Sequence, residues 1–497
     1  MNQLPFSSIN YGTCTEPEGR MVIKAILDVS IEGMGKNGKT SIFPCGIFQY
    51  KKGVNDKPGT PNYDLYRLAL RSTAQRLYPN YANCDWNPHK KWVQADRDIK
   101  IAVVDNLTQE DYNKLINRIE EYPDVADKLY LRYVKDSQWD KIRISDFERP
   151  FELFSTMGCR TVNGLDVNFK EVYEENIKSF IETGELKHPT YLSAIQKDGR
   201  GNICPVTIIM PELAMQIKSK YNDDLVEPFM KLLEKKIYEA KDMLIERFNH
   251  ICSQSEASAK FMWENGSMEG YDPSEGIKSS LKHGTLVIGQ LGLAETLQIL
   301  IGEDHTNENG MELAKRIEKL FNEKCAEFKS EYKLNFGVYY TPAENLCYTA
   351  MSKFKRKWGE IPNVSDKKYF TNSMHVPVWC SMDPFQKINI ESELTGYSNA
   401  GCITYVELPS SAINNIDALE AIVGYAMDKD IPYQAINVPV DRCRNCHYTD
   451  EINDVCPKCG SDNILRLRRV TGYISNDYRH FNKGKQQEVE DRVKHMK

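Results

Sequence analysis

Four cysteines near the carboxyl end carry the sharpest chemical pattern in the chain: Cys443-x2-Cys446 and, after nine intervening residues, Cys456-x2-Cys459. Each pair places two sulfurs on one tight turn, and two pairs close a tetrahedron, the donor set of a structural zinc ion. A redox-active dithiol is one rival reading. Another is covalent haem attachment, since Cys443-Arg444-Asn445-Cys446-His447 matches Cys-x2-Cys-His; a haem site has no use for Cys456 and Cys459, and zinc is adopted. Just downstream, Arg466, Arg468 and Arg469 lead into Val470-Thr471-Gly472-Tyr473-Ile474. Gly472 is either a backbone position that needs positive φ or close approach, or a site for chemistry open to glycine alone. A Cα radical there lies flat and delocalises into both neighbouring amides, with no Cβ to clash.

Two other stretches hold groups able to react. Ser155-Thr156-Met157-Gly158-Cys159-Arg160-Thr161 reads, taken alone, as a loop with a small buried cysteine. Thr341-Pro342-Ala343-Glu344 reads as a capping box, with Thr341 as N-cap, Pro342 at the first helical position and Glu344 reaching back to the free amides. Such a helix N-terminus also offers unpaired donors to phosphate. In Phe370-Thr371-Asn372-Ser373-Met374-His375-Val376, the histidine is either a satisfied core residue or a pocket residue. Gly284, Gly289 and Gly292, interleaved with Leu286, Ile288 and Leu291, give a strand running into a helix and only a weak phosphate-binding signal.

The elements that position these groups follow the same strand-then-helix alternation. Leu4 to Gly12 reads as a strand entering a turn, with a helix opening near Glu16-Pro17; Ile42-Phe43-Pro44 and Gly46-Ile47-Phe48 read as a buried strand. Pro61-Asn62-Tyr63 opens an amphipathic helix through Leu68, Leu70 and Leu77. Leu225, Phe229, Leu232, Leu233, Ile237, Ala240, Met243 and Leu244 form a core-facing helical stripe over 224–250. Residues 85–152 are more charged, with a helical pattern through Tyr112, Leu115, Ile116 and Ile119. The one module boundary lies near 440, dividing an α/β body over 1–440 from a cysteine module over 441–497.

With 41% apolar residues and a net charge of −6, the chain is globular and carries no basic field to draw it to nucleic acid or an acidic membrane. No apolar run is long enough to span a bilayer, and no secretion signal opens the sequence, so the cytoplasm is the expected location. Fourteen cysteines in so long a chain suit a reducing compartment.

The cysteine quartet, the basic strand and Arg469-Val470-Thr471-Gly472-Tyr473-Ile474, in that order, resemble the carboxyl end of anaerobic, oxygen-sensitive ribonucleoside-triphosphate reductases, which are glycyl-radical enzymes. Pyruvate formate-lyase shares the glycine strand and lacks the quartet. The resemblance implies an α/β barrel, ten-stranded in the family and incomplete here, with insertions at about 85–152 and 163–200 and a zinc-ribbon-like module holding the radical loop. It implies a stored radical on Gly472 and a transient thiyl on Cys159, whose Met-Gly-Cys-Arg setting looks like the family's finger loop. Glu344, in Pro-Ala-Glu-Asn, would move protons as the 2′ hydroxyl leaves a ribonucleoside triphosphate, making deoxyribonucleotides for DNA synthesis. The implied partners are a radical S-adenosylmethionine activating enzyme that carries the iron–sulfur cluster this chain lacks, formate or a redoxin as reductant, and a second copy in a homodimer.

Two departures stand out. Formate-using members carry asparagine on the strand after the thiyl cysteine, where this chain has Ile209, and Cys204 just before it makes a thiol reductant an alternative. The family's second active-site cysteine lies in an upstream portion that has no counterpart after Met1, so a separate amino-terminal polypeptide is expected to supply it unless Cys204 or Cys347 substitutes. Two other functions compete: a glycyl-radical lyase on another small molecule, and a zinc ribbon binding nucleic acid through Arg466, Arg468 and Arg469.

Overall fold

The protein is described by a computed structural model over residues 7–36, 38–135, 141–144, 156, 164–189, 200–265, 267–268, 270–470, 472–475 and 477–495. Three parallel strands, β1 (Ser8–Tyr11), β2 (Cys45–Tyr50) and β3 (Asn80–Asn83), open the first sheet. The helices between them, Pro17–Glu32 and Tyr63–Arg76, are the crossovers that parallel pairing demands. Both start at Pro-bearing or Asn-bearing turns, as the sequence indicates, although β2 begins only at Cys45, so Ile42–Pro44 lie before the strand.

A hairpin of β4 (Leu131–Val134) and β5 (Lys141–Ile144) follows, beside the helices Asn87–Asp105, Gln109–Glu121 and Phe169–Thr183. Together they enclose a core of their own, built on Leu115, Ile119, Leu131, Phe169, Tyr173 and Phe180. Apart from Lys100 and Asp96, which pair inside at 2.8 Å, most of the charge of this region lies on its outer face, and the two stretches expected as separate insertions pack on each other.

The second sheet is all parallel: β6 (Arg200–Ile209), β7 (Gly284–Leu291) and β8 (Asn335–Tyr339), in that order. Every residue of β7 is buried, the pattern of a strand covered on both faces. The long helix Val226–Cys252 covers one face with Phe229, Leu233, Ile237, Ala240, Leu244 and Phe248. Met243, expected in that stripe, is 45% exposed; it stands beside Leu244 on the helix, a step of about 100° that turns it away from the core. From β8 the chain reaches β9 (Thr404–Glu407) by way of residues that still bond to β8, with Ala400 N donating to Val338 O at 3.1 Å and Tyr340 N donating to Gly401 O at 3.1 Å. Then β9 and β10 (Tyr433–Asn437) complete the first sheet, in the order β1-β2-β3-β10-β9, with β10 antiparallel to β3. The two sheets are thus linked along residues 398–407.

The last sheet is antiparallel and drawn wholly from residues 440–475: β11 (Val440–Cys443), β12 (Thr449–Asp450), β13 (Ile464–Val470) and β14 (Tyr473–Ser475), ordered β12-β11-β13-β14. Among the described residues no helix is long and apolar enough to cross a membrane.

One core feature escapes a hydrophobic-pattern reading. Glu318, on the helix Glu308–Tyr332, is fully buried and accepts from Gln290 Nε2 of β7 at 2.8 Å. Burial pushes its carboxyl up from 4.5 to about 8, against the pull of Gln290 and Tyr340. Between those values the folded chain holds a proton that the unfolded chain has lost, so stability is fully present below pH 4.5, falls as pH rises towards 8, and is level above it. Glu318→Gln is expected to gain on the wild type by about 4 kcal/mol between pH 5 and pH 9. Denaturant midpoints at both pH values check this; an equal gap at each would mean the carboxyl ionises normally.

Candidate functional site

The cysteine module is built from two knuckles. In the first, Cys443 N donates to Tyr448 O at 2.8 Å and His447 N to Cys443 O at 3.0 Å; in the second, Cys456 N donates to Ser461 O and Gly460 N to Cys456 O, each at 2.8 Å. His447 takes the left-handed φ of 60° that closes the first turn. Facing sulfurs lie 3.5 Å apart in the pairs Cys443–Cys459 and Cys446–Cys456, and all four fall within 4.8 Å of one another. A tetrahedral ion with bonds of about 2.3 Å needs sulfurs roughly 3.8 Å apart, so the donor set fits zinc. The backbone N–H of Cys446, joined by that of Asn445, lowers the Cys443 thiol below its ordinary value.

The quartet is tied directly to Gly472. Cys443 ends β11 and pairs with Ile464, the first residue of β13; the other end of β13 pairs Val470 with Tyr473 of β14, which puts Gly472 in the connection of that hairpin, half-buried. The three arginines of β13 are engaged inside the protein. Arg468 Nη1 donates to the fully buried Asp441 Oδ1 at 2.6 Å, and Arg466 Nη1 reaches Asp441 Oδ2 at 3.4 Å. Arg469 is buried, donates to Asn80 Oδ1 at 2.6 Å and to Leu77 O, and stacks over the Tyr78 ring. These contacts brace β13 and leave the alternative of a phosphate-gripping basic strand without its arginines.

Cys159 lies outside the described residues. Its flanks are described: Asn10 of β1 exchanges two hydrogen bonds with the Thr156 backbone, at 3.0 and 3.3 Å, and Asp166 meets His283, just before β7, at 2.6 Å. Thr156 thus lies against the first sheet and Asp166 against the second.

Glu344 is the first residue of the helix Glu344–Trp358, which follows β8. The capping box is not formed. Ala343 occupies the N-cap with no side-chain bond, and Thr341 Oγ1 is taken by Thr207 Oγ1 of β6 at 3.0 Å. That hydroxyl sits where a Cβ on Gly289 would be, 1.8 Å from the ideal position, so Gly289 is a close-approach glycine rather than part of a phosphate loop. Gly292, at φ 78°, packs against Pro211 in the same way.

The turn before Glu344 is held by the 371–376 segment. Asn372 Oδ1 accepts Ala343 N at 2.8 Å, and Ser373, at a left-handed φ of 40°, donates its hydroxyl to Thr341 O at 2.7 Å. Behind it, Thr371 N and Oγ1 donate to Glu295 Oε1 at 2.7 and 2.8 Å. Burial raises the Glu295 carboxyl to about 7 despite those donors. His375 is a buried residue of an ionic cluster: Nδ1 stands 3.4 Å from Glu391 Oε1, where Val376 N at 3.1 Å and Lys387 Nζ at 3.5 Å also converge. Burial works against the Glu391 charge, yet Lys387 and His375 bring its carboxyl down to about 2. Sequence reading passed over Glu295 and Glu391. The signal for Glu295 is that it is the only charged residue in the apolar helix Leu293–Ile301.

Cys204 has a left-handed φ of 50° within a register shift of β6, and burial raises its thiol above the ordinary value; Ile209 closes the same strand.

The solved anaerobic ribonucleotide reductases have this fold. One superposes with a TM-score of 0.58 over 100% of this chain and 63% of its own, at 14% identity; the Thermotoga maritima enzyme in complex with dATP and CTP does so at 0.56, over 98% and 65%, at 15% identity. Among curated proteins, the anaerobic ribonucleoside-triphosphate reductase of Escherichia coli (strain K12) is 30% identical over 509 aligned positions, which cover 99% of this chain and 59% of the relative. That of Enterobacteria phage T4 is 28% identical over 508, covering 99% and 69%. The chain thus spans about 59% of the length of the bacterial relative. The sequence pattern of anaerobic ribonucleoside-triphosphate reductases matches residues 2–495, a range that includes the quartet and the Gly472 hairpin, and the chain belongs to that family.

Proposed function

We propose that the chain carries the radical chemistry of anaerobic ribonucleoside-triphosphate reduction, with Gly472 as the stored radical, Cys159 as the thiyl and Glu344 as the proton donor. The observation that carries this reading is the hairpin connection at Gly472, braced through β13 by a four-sulfur cluster. A hairpin tip bound to a metal-fixed sheet holds one glycine at one place, as a stored radical requires. Zinc at Cys443, Cys446, Cys456 and Cys459 supplies structure and no redox step.

An activating enzyme that cleaves S-adenosylmethionine removes one hydrogen atom from the Gly472 Cα. Gly472 then takes the sulfur-bound hydrogen of Cys159, and the thiyl takes the 3′ hydrogen of the ribose. Glu344 gives its proton to the 2′ hydroxyl, which leaves as water. Two electrons and two protons come from the reductant, one proton to C2′ and one back to Glu344; Cys159 returns its hydrogen to C3′ and is recharged by the hydrogen it gave to Gly472. The sum is one ribonucleoside triphosphate, two electrons and two protons giving one deoxyribonucleoside triphosphate and water. Ile209, in place of the asparagine of formate-using members, favours a redoxin dithiol over formate. The eight strands of the two main sheets, linked along 398–407, fit the wall of a barrel around this chemistry, with the module over 441–497 as its radical-bearing end. A homodimer in the cytoplasm is the working state.

Anaerobic assays supplied with activating enzyme, S-adenosylmethionine and reductant test the reading. They are run with and without a polypeptide matching the part of the curated relatives that this chain does not span. Cys159→Ser is expected to lower product formation by at least about a thousandfold. Undiminished deoxyribonucleotide formation in that variant would remove Cys159 from the mechanism.

A further inference from the structure

The guanidinium of Arg492 occupies a junction that the radical relay leaves unexplained. Its side chain is 11% exposed, and it joins three elements. Nη1 donates to the backbone carbonyl of Arg469 in β13 at 2.6 Å and stands 3.3 Å from Glu407 Oε1 of β9; Nη2 donates to Glu488 Oε1 of the helix Lys483–Asp491 at 3.1 Å. Arg469 pairs with Ile474 across the Gly472 hairpin, so Arg492 grips the base of that hairpin from outside.

The residues after it lock the grip. Val493 N donates to Val378 O at 3.0 Å, while Glu407 and His495 exchange two bonds, Glu407 N to His495 Nδ1 and His495 N to Glu407 O, each at 2.8 Å. This covers the outer side of β9, the edge strand of the first sheet. A cavity of about 30 Å³ separates Arg492 from Asn372 and His375, so the segment that orients the Glu344 turn lines the same space. Removing the guanidinium would leave the buried Glu488 and the partly buried Glu407 without their shared cation, which costs more than losing an exposed pair.

We infer that Arg492 is a positioning residue for Gly472: its bond to the Arg469 carbonyl, anchored by Glu407 and Glu488, holds the radical hairpin against the catalytic body. The inference rests on Gly472 being the radical site, but its test does not. Hydrogen–deuterium exchange followed by mass spectrometry, on the full chain, compares Arg492→Ala and Arg492→Lys with Lys100→Met. The last breaks a more deeply buried ion pair, Lys100–Asp96, in the helix Asn87–Asp105. Peptides over 464–475 are expected to exchange at least tenfold faster in Arg492→Ala and by an intermediate factor in Arg492→Lys, with no change in Lys100→Met. Should Arg492→Ala fail to fold, Arg492→Lys with Glu488→Gln carries the comparison. Unchanged exchange of 464–475 in a folded Arg492 variant, or acceleration spread evenly over the molecule, overturns the assignment. Failure to detect a radical on Gly472 would instead strike at the proposed function and leave the exchange result standing.

Discussion

Air admitted to the activated protein is expected to cut the main chain at Gly472 and release a fragment that begins there. Oxygen adds to a carbon-centred radical at close to the encounter rate, and a peroxyl on a Cα decays by breaking the backbone. The half-buried hairpin connection slows access without abolishing it. Protein never exposed to the activating enzyme stays whole, because a glycine Cα–H does not react with oxygen at rest. In Gly472→Ala the Cβ prevents the flat, doubly delocalised radical, so cleavage and product formation both fall to background. Intact-mass measurement on activated, aired samples reads the result. An uncut chain in a sample with a verified radical would place the radical elsewhere, as would normal turnover by Gly472→Ala.

The second large effect is expected at the quartet. Cys456→Ser is expected to reduce bound zinc from about one per chain to near none, because a closed four-thiolate site relies on all its donors and such ions contribute about 10–16 kcal/mol to the fold they hold. The consequence runs along β13. Loss of the knuckle at Cys443 frees its pairing with Ile464, and Val470, at the other end of the same strand, loses the support that fixes the hairpin. Chelation of the wild type should reproduce the variant and be reversed by zinc. Elemental analysis showing full metal occupancy in Cys456→Ser would sink the assignment of these four ligands.

Much of this site was legible because it is local. Two knuckles are specified by spacing and by turn-forming residues around each cysteine, and the glycine strand follows within a few residues. The parallel sheets were legible in kind from alternation of apolar strand and amphipathic helix. What the sequence hid is long-range. Thr341 has the right spacing from Glu344 for a capping box, but its hydroxyl is captured by Thr207, 134 positions away, in space that Gly289 leaves open. The cap of that helix turn comes instead from Asn372, and Glu295 stands behind it. Arg466, Arg468 and Arg469 look solvent-directed in a charged strand, yet Asp441, Asn80 and the Leu77 carbonyl draw them inward. No local pattern reports which distant carboxylate or carbonyl will meet a given side chain.

Storage of the radical on Gly472 is read out by an electron paramagnetic resonance spectrum of the anaerobically activated chain. Activated wild-type protein is expected to show a glycine-centred doublet, split by the one remaining α-hydrogen, that collapses to a singlet when glycine is supplied deuterated at Cα and is absent from Gly472→Ala. A doublet of undiminished intensity in Gly472→Ala would contradict it.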